Sequence, residues 1–237
     1  MNGELYVLLG SEVVDPGVVK TVGGPDVAAS CSPGARLTVH SLRDPNEDAA
    51  LVASSEDGTW LAAVVDGYGT VAGTHAVIDH LVDAVPDLMA ATVPNVGGVV
   101  VDALEALAHV RRAGAHATGA SVTLAVGRGS DVWVWTRGDT AALLVGPEVR
   151  AISGIVPPPS AAVPVPPPRH VVRAASERLV LVTDGWFDAL GTDWHGIAAR
   201  GHAPATVTAR AHVDAALERG ADDAVTVVVV APPLRDA

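Results

Sequence analysis

Short apolar runs that stop abruptly at an Asp-Gly pair constrain the fold of this chain more than any other feature. The run LAAVV ends at Asp66-Gly67, and the run LVLVT ends at Asp184-Gly185. Valine-rich runs favour strands because β-branched side chains suit a pleated surface. A glycine after each Asp lets the backbone turn sharply and approach a ligand closely. The pattern predicts buried strands that end in carboxylates.

Hydrophobic periodicity divides the rest of the chain into strands and helices. Alternating or continuous apolar runs predict strands at residues 4–9, 35–42, 49–53, 59–65, 120–126, 131–137, 140–145, 170–174, 177–183 and 224–232. Helical spacing predicts helices at 72–89, 98–113, 186–190 and 204–219. Pro86 is expected to kink or end the first helix. Residues 10–35 give little periodic signal, so residues 1–34 are expected to form a less regular extension.

The order of these elements indicates one α+β domain over residues 1–237. Strands, two helices, more strands, one helix and a last strand follow one another, which favours segregated layers over a doubly wound βαβ fold. The proline-rich segment 156–168 is expected to be a loop, because proline fixes φ and lacks an N–H donor.

Composition and charge argue against several classes of partner. The formal net charge is −12, from 15 Lys and Arg against 27 Asp and Glu, so the phosphate backbone of a nucleic acid would be repelled. No segment reaches the roughly 20 apolar residues that span a bilayer, and the N-terminus lacks the basic region of a signal peptide. Cys31 is the only cysteine, which fits a reducing compartment. We expect a soluble, cytoplasmic protein with neither nucleic acid nor membrane as a partner.

Two further acidic pairs lie next to predicted strands. Asp222-Asp223 precedes the run AVTVVVV, and Glu47-Asp48 precedes AALVA. Any one of these acidic pairs has an ordinary explanation, since Asp is common in turns. Four acidic points at the ends of apolar strands would repel one another and cost desolvation energy, and a divalent cation would relieve both problems. Ligands that offer only oxygen favour Mg²⁺ or Mn²⁺.

Six segments of the chain resemble the metal-dependent protein phosphatases of type 2C. The strings RDPNED (43–48), DGYG (66–69), TDG (183–185) and DAVTV (223–227) are similar to the four metal-site motifs of that family and occur in its order. TGASVTLAV (118–126) and RGDTAALLV (137–145) resemble the family's central segment. The resemblance extends from about residue 35 to residue 232. It implies two antiparallel β-sheets packed face to face, with helices outside.

The resemblance also assigns a role to each matching position. Asp66 would bridge two Mg²⁺ or Mn²⁺ ions, and the carbonyl group of Gly67 would bind one of them. Arg43 would hold the substrate phosphate, for which the forked guanidinium suits. A hydroxide between the ions would attack phosphorus directly, which makes Arg43 and Asp66 the catalytic residues. The remaining ligands implied, direct or through water, are Asp184, Asp223, Glu47, Asp48 and, for a third and looser ion, Asp139.

The chain departs from the family pattern at three places. Tyr68 stands where members often carry His or Met, and its reference pKa of about 10 suits proton donation at neutral pH poorly. Counting along the last motif selects Asp223 as the ligand, whereas the acidic pair alone would allow Asp222. The stretch between Asp139 and Asp184 is short and holds the proline-rich loop in place of a flap, which leaves the substrate open.

Three functions therefore stay open. The leading hypothesis is a Mg²⁺- or Mn²⁺-dependent phosphatase that acts on phosphoserine or phosphothreonine in proteins. The alternatives are a phosphatase for a small phosphorylated metabolite and a catalytically weak, phosphatase-like module that binds a protein. The sequence contains no GxxxxGK[ST] phosphate loop, no GxSxG motif and no Cys-His metal spacing that would favour another class of enzyme.

Overall fold

The computed structural model describes residues 3–35, 46–112, 118–153, 168–199 and 204–232, and side chains in the second range as far as residue 108. Over these residues the chain folds into strands and helices in the following order. The strands are Gly3–Leu9 (β1), Lys20–Gly23 (β2), Val27–Ser32 (β3), Ala49–Ser55 (β4), Thr59–Tyr68 (β5), Gly119–Arg128 (β6), Asp131–Arg137 (β7), Ala141–Val145 (β8), Val149–Ala151 (β9), Arg169–Val172 (β10), Arg178–Val182 (β11) and Val225–Val230 (β12). The helices are Val71–Ala90 (α1), Val96–Arg112 (α2), Asp184–Leu190 (α3), Trp194–Ala198 (α4) and Ala205–Glu218 (α5), with 3₁₀ turns at Gly10–Glu12 and Gly191–Asp193.

The strands form two six-stranded sheets that lie face to face. Sheet A has the order β1-β4-β5-β6-β7-β10, and sheet B has the order β2-β3-β12-β11-β8-β9. All the strand pairs of the described residues are antiparallel. The architecture is the α+β sandwich expected from the sequence.

Three apolar layers hold the sandwich together. The middle layer lies between the sheets and includes Val64 of β5 and Leu181 of β11. The second packs α1 and α2 against sheet A, and the third packs α3, α4 and α5 against sheet B. Because helices cover the outer face of each sheet, the central strands are buried on both faces. This explains why every residue of β12 is buried and why all of them except Thr226 are valines.

The structure differs from the sequence prediction at three described places. The segment 10–35 contains β2 and the completely buried β3, whose small side chains gave no clear alternation. Pro86 does not end α1. The helix continues through this exposed position to Ala90. The short elements β9 and α4 were not predicted, since a run of 3–5 residues carries too little periodicity. The predicted strand 35–42 and most of the proline-rich loop 156–168 lie outside the described residues.

Helix length and composition also bear on membrane insertion. None of the helices in the described part of the chain is both long enough and apolar enough to cross a bilayer.

Candidate metal centre

The strand ends that carry acidic residues meet at one end of the sandwich. In sheet A, β4 starts directly after Asp48, and its antiparallel pairing with β5 places Asp48 beside Asp66. In sheet B, β11 ends two residues before Asp184. Its antiparallel neighbours β8 and β12 begin just after Asp139 and Asp223. Antiparallel pairing thus collects five acidic positions that are distant in sequence.

Three of these carboxylates form a tight group. One side-chain oxygen from each of Asp66, Asp139 and Asp184 lies within 4.8 Å of the other two. All three residues are half-buried. Asp66 belongs to sheet A, Asp184 follows a strand of sheet B, and Asp139 lies on the connection between β7 and β8. The group therefore lies where the two sheets meet, with oxygen atoms close enough to share a divalent cation.

Asp139 contributes an oxygen that lacks a partner. Its Oδ1 atom is buried and has no hydrogen bond within the described part of the chain. A buried carboxylate oxygen without a donor is costly, and a cation would satisfy it. The resemblance placed Asp139 at a third, looser ion, whereas its position here is within the tight group of three.

Asp48 is the most buried carboxylate at this end of the sandwich, with 3% of its surface exposed. Burial raises the pKa of Asp48 well above its usual range, and the charges of Asp223 and Asp184 raise it further. The hydroxyl group of Thr183 donates a hydrogen bond to Asp48 Oδ2 at 3.0 Å, which favours the charged form. Asp48 thus lies behind the group of three, in contact with the core.

The other carboxyl groups respond to burial and to one another. Burial raises the pKa of Asp66 well above its usual range, and the charges of Asp48, Asp184 and Asp139 add to the effect. Burial also raises the pKa of Asp184 to about 6, although a hydrogen bond from Asp66 acts in the opposite direction. Several carboxyl groups that are poorly solvated and close to one another favour the binding of cations at this end of the sandwich.

Gly67 allows a close approach of two segments. A Cβ atom at this position would overlap the Thr74 hydroxyl and lie 2.5 Å from the carbonyl oxygen of Glu47. The same Thr74 hydroxyl donates a hydrogen bond to that carbonyl at 2.6 Å. The backbone at Gly67 and the segment before β4 are therefore fixed against each other by a buried threonine of α1.

Asp223 lies outside the group of three. It is exposed to solvent, yet its charge raises the pKa of Asp48 and Asp184. Burial of the carboxyl group raises the pKa of Asp223 itself. The charge of Asp222 raises the pKa of Asp223 as well. The choice of Asp223 over Asp222 as a metal ligand stays a prediction.

Two other residues singled out by the sequence have different outcomes. Arg43 lies outside the described residues, so its role as a phosphate contact remains a prediction. Tyr68 ends β5, with 46% of its surface exposed. Its ring covers Gly119 of the neighbouring strand so closely that a Cβ atom there would overlap it.

Sequence reasoning missed the uncharged polar residues around the carboxylates. Thr183 and Thr226 are fully buried, Asn46 and Thr74 are 1% exposed, and all four adjoin acidic segments. Only their positions beside the acidic motifs could have indicated a role, because threonine in a strand is otherwise unremarkable.

The opposite end of the sandwich carries a different feature. A cavity of about 550 Å³ opens there, next to Trp60 and Arg173. The guanidinium group of Arg173 lies 5.5 Å from the Trp60 ring centroid and donates to the carbonyl oxygen of Ala231 at 3.0 Å. Because the carboxylate group lies at the other end of β5, this cavity is separate from the candidate metal centre.

Comparison with known proteins bears on the fold. No protein-family model and no curated protein matches the sequence. Solved structures do match. A bacterial serine phosphatase superposes with a TM-score of 0.69 at 16% identity, over 90% of this chain and 99% of that one.

Two other solved structures give the same result. The catalytic domain of the serine/threonine phosphatase PstP, in complex with two manganese ions, has a TM-score of 0.65 at 20% identity over 90% of this chain and 98% of that one. PppA, a key regulatory component of T6SS in Pseudomonas aeruginosa, has a TM-score of 0.64 at 17% identity over 92% and 98% of the two chains. The chain therefore has the fold of bacterial serine/threonine phosphatases, as the resemblance implied. At these identities the likeness establishes the fold alone.

Proposed function

We propose that this protein is a Mg²⁺- or Mn²⁺-dependent phosphatase that hydrolyses phosphoserine or phosphothreonine in proteins. The observation that carries the proposal is the convergence of Asp66, Asp139 and Asp184, whose oxygens lie within 4.8 Å of one another. These residues come from separate segments of a fold that bacterial serine/threonine phosphatases share. Carboxylates so close together need a counter-charge, which divalent cations supply.

The residues present fit hard divalent ions. The donors at the site are carboxylate and carbonyl oxygens, which favour Mg²⁺ and Mn²⁺ over softer metals. The unpartnered Oδ1 of Asp139 is a further acceptor without a donor. A phosphatase of this fold was solved with two manganese ions, and we propose two ions here. The proposed ligands are Asp66, the Gly67 carbonyl, Asp184 and Asp223, with Glu47 and Asp48 acting through water and Asp139 placed for a third ion.

The ions would supply an activated water and neutralise charge on the phosphate ester. The residues of the chain itself would then bind and orient the substrate phosphate. Asp66, on the rigid strand β5, would hold its oxygens at the centre of the site. Arg43 would bind the phosphate in its forked geometry, which orients phosphorus toward the carboxylate group.

The wider setting of the protein is also a proposal. A phosphorylated protein is the proposed partner, because the solved structures of this fold are serine/threonine phosphatases. The net charge of −12 disfavours nucleic acid. Cys31 is a buried free thiol, which fits the reducing cytoplasm as the proposed location, away from membranes.

Hydrolysis of a phosphothreonine peptide and of an aryl phosphate tests the proposal. The wild type should require added Mn²⁺ or Mg²⁺, and Asp66→Asn should lower kcat/KM by at least about 100-fold, since it removes a negative charge from the proposed ligand set. Asp102→Asn is a matched control, because Asp102 is an exposed carboxylate on α2. No metal-dependent activity of the wild type, or equal activity of wild type and Asp66→Asn, would refute the proposal.

A further inference from the structure

A buried hydroxyl group connects the carboxylate-bearing segments of the two sheets. Thr183 is 0% exposed, and its Oγ1 atom lies 3.0 Å from Asp48 Oδ2. The same Oγ1 atom lies 3.0 Å from the backbone nitrogen of Thr226. Thr183 thus bridges the start of β4 in sheet A and β12 in sheet B, immediately before Asp184.

The direction of these two hydrogen bonds is fixed by chemistry. The backbone N–H of Thr226 can only donate, so the Thr183 oxygen accepts there. The single hydroxyl hydrogen of Thr183 is then free to point at Asp48 Oδ2, which accepts it. This arrangement requires an unprotonated oxygen at Oδ2 and therefore favours the carboxylate form of Asp48.

Packing alone does not explain a threonine at this position. Thr183 is the N-cap of α3, but its side chain makes no capping hydrogen bond, so helix capping does not account for the hydroxyl group. The backbone of Thr183 is already paired, since its N–H donates to the Thr226 carbonyl at 3.1 Å. The hydroxyl group adds two contacts, because it accepts from the Thr226 N–H and donates to Asp48.

The other side of Asp48 is held by Asn46. The Asp48 N–H donates to Asn46 Oδ1 at 3.2 Å, and Asn46 Nδ2 donates to Cys31 Sγ at 3.1 Å. The backbone of Asp48 is therefore fixed by β3 and the side chain by Thr183. A side-chain interaction with Thr226 also favours the charged form of Asp48 by lowering its pKa.

We propose that Thr183 is a positioning residue, whose hydroxyl group holds the Asp48 carboxylate in the orientation that serves divalent-cation binding. The inference rests on the proposed function for the identity of the ions. Because Thr183 directly precedes Asp184, it couples the orientation of Asp48 to the start of α3.

Titration of the metal-free protein with Mn²⁺ by calorimetry tests this role without an activity assay. Thr183→Val should weaken Mn²⁺ binding about 10–100-fold, the usual effect of removing a hydrogen bond to a metal ligand. Thr183→Ser keeps the hydroxyl group and should restore binding to near the wild-type affinity. Thr59→Val is the matched control, because Thr59 is 1% exposed and its hydroxyl accepts from Arg128 at 3.2 Å at the far end of β5.

A double-mutant cycle with Asp48→Asn shows whether Thr183 acts through Asp48. In that background Thr183→Val should change the Mn²⁺ affinity by less than about twofold, since the partner is already altered. An undiminished effect in the Asp48→Asn background would overturn the inference. So would a Thr183→Ser variant that binds as weakly as Thr183→Val.

The proposed function and this inference can fail separately. If the wild type hydrolyses phosphopeptides and Thr183→Val binds Mn²⁺ as tightly as the wild type, only the inference is overturned. If the wild type binds Mn²⁺ without hydrolysing any phosphate ester, the proposed function fails, while the affinity of Thr183→Val still decides the positioning role. Absence of Mn²⁺ binding by the wild type would overturn both.

Discussion

At the scale of single residues, the candidate centre depends on backbone that approaches other groups closely. Gly67 faces the Thr74 hydroxyl and the Glu47 carbonyl at distances that leave no room for a Cβ atom. Gly185, after the second Asp, has the same property, because a Cβ atom there would overlap the carbonyl oxygen of Ala224. Both glycines of the Asp-Gly pairs are needed for packing, since Gly67 lies within β5 and Gly185 within α3.

Replacing Gly67 by alanine should therefore disturb both stability and metal binding. Overpacking of this kind costs about 1–3 kcal/mol, and displacement of the segment at Glu47 should weaken Mn²⁺ binding. Denaturant unfolding and calorimetry measure the two effects. Gly196→Ala is the control, since a Cβ atom at Gly196 meets nothing within 4 Å. Wild-type stability and affinity in Gly67→Ala would contradict the packing argument.

The raised pKa of Asp184 predicts that the stability of the metal-free protein depends on pH. Burial raises its pKa in the folded, metal-free protein to about 6, from an ordinary value of 3.8. The folded state therefore binds more protons than the unfolded state between these values, and this group stabilises the metal-free protein as pH falls from above 6 toward 4. The shift corresponds to at most about 3 kcal/mol, which solvent in the open site reduces to about 1–2 kcal/mol.

Asp184→Asn should remove this dependence. In the presence of a chelator, the variant should be more stable than the wild type at pH 7.5 by about 1–2 kcal/mol, because a repelled charge is lost. The difference should shrink toward pH 4.5, where the wild-type carboxyl group is protonated. Urea unfolding at the two pH values measures it, and a variant less stable than the wild type at pH 7.5 would contradict the expectation.

At the scale of elements, the packing of α5 on sheet B buries a histidine whose ring nitrogens have no hydrogen-bond partner among the described residues. This residue, His212, is 2% exposed. Its ring lies edge-on to Trp186 of α3, with 5.7 Å between centroids. Burial, together with the charge of Arg178, lowers the pKa of His212 to about 4.

His212→Leu should make this interface less sensitive to acid. The unfolded state gains a proton near pH 6.5 and the folded state only near pH 4, so the histidine lowers stability as pH falls through this window. The loss between pH 8 and pH 5 is about 2 kcal/mol. Leucine also removes two unpaired nitrogens, so the variant should be at least as stable as the wild type at neutral pH. Urea unfolding that shows equal pH dependence in both proteins would contradict this account.

At the scale of the whole molecule, the candidate centre exists only when both sheets are in place. Asp48 and Asp66 belong to sheet A, Asp184 and Asp223 to sheet B, and Asp139 to the connection between β7 and β8. A ligand bound by both sheets stabilises the folded state because the unfolded chain cannot assemble the site.

Divalent cations should therefore raise the melting temperature. At about 100 times the dissociation constant, Mn²⁺ should add about 2.7 kcal/mol to the free energy of unfolding. The shift should disappear with a chelator and in Asp66→Asn, whose own metal-free stability should not fall. Differential scanning calorimetry measures the effect, and an unchanged melting temperature at saturating Mn²⁺ would contradict a site shared by the sheets.

Much of the fold was predictable because strong local patterns agreed with it. The runs at 59–65 and 224–232 became β5 and β12, and the helical spacing at 72–89 became α1. Failures came where tertiary packing overrode a weak local signal. The small residues of β3 lack periodicity. They form a strand because β3 pairs between β2 and β12 in sheet B, where every one of its residues is buried. Pro86 remains within α1 because it lies on the exposed face of a helix held by its buried face.

The acidic residues at the limits of apolar runs were identifiable from local hydrophobic periodicity, because that periodicity marks where strands end. Which carboxylates meet, and which polar groups hold them, followed only from the arrangement of the two folded sheets. Thr183 and Asp48 are 135 residues apart and touch through one hydrogen bond, and Asp139 joins Asp66 and Asp184 in one group. The physical reason is that local periodicity sets the ends of strands, whereas distances between distant residues depend on how two sheets pair and pack.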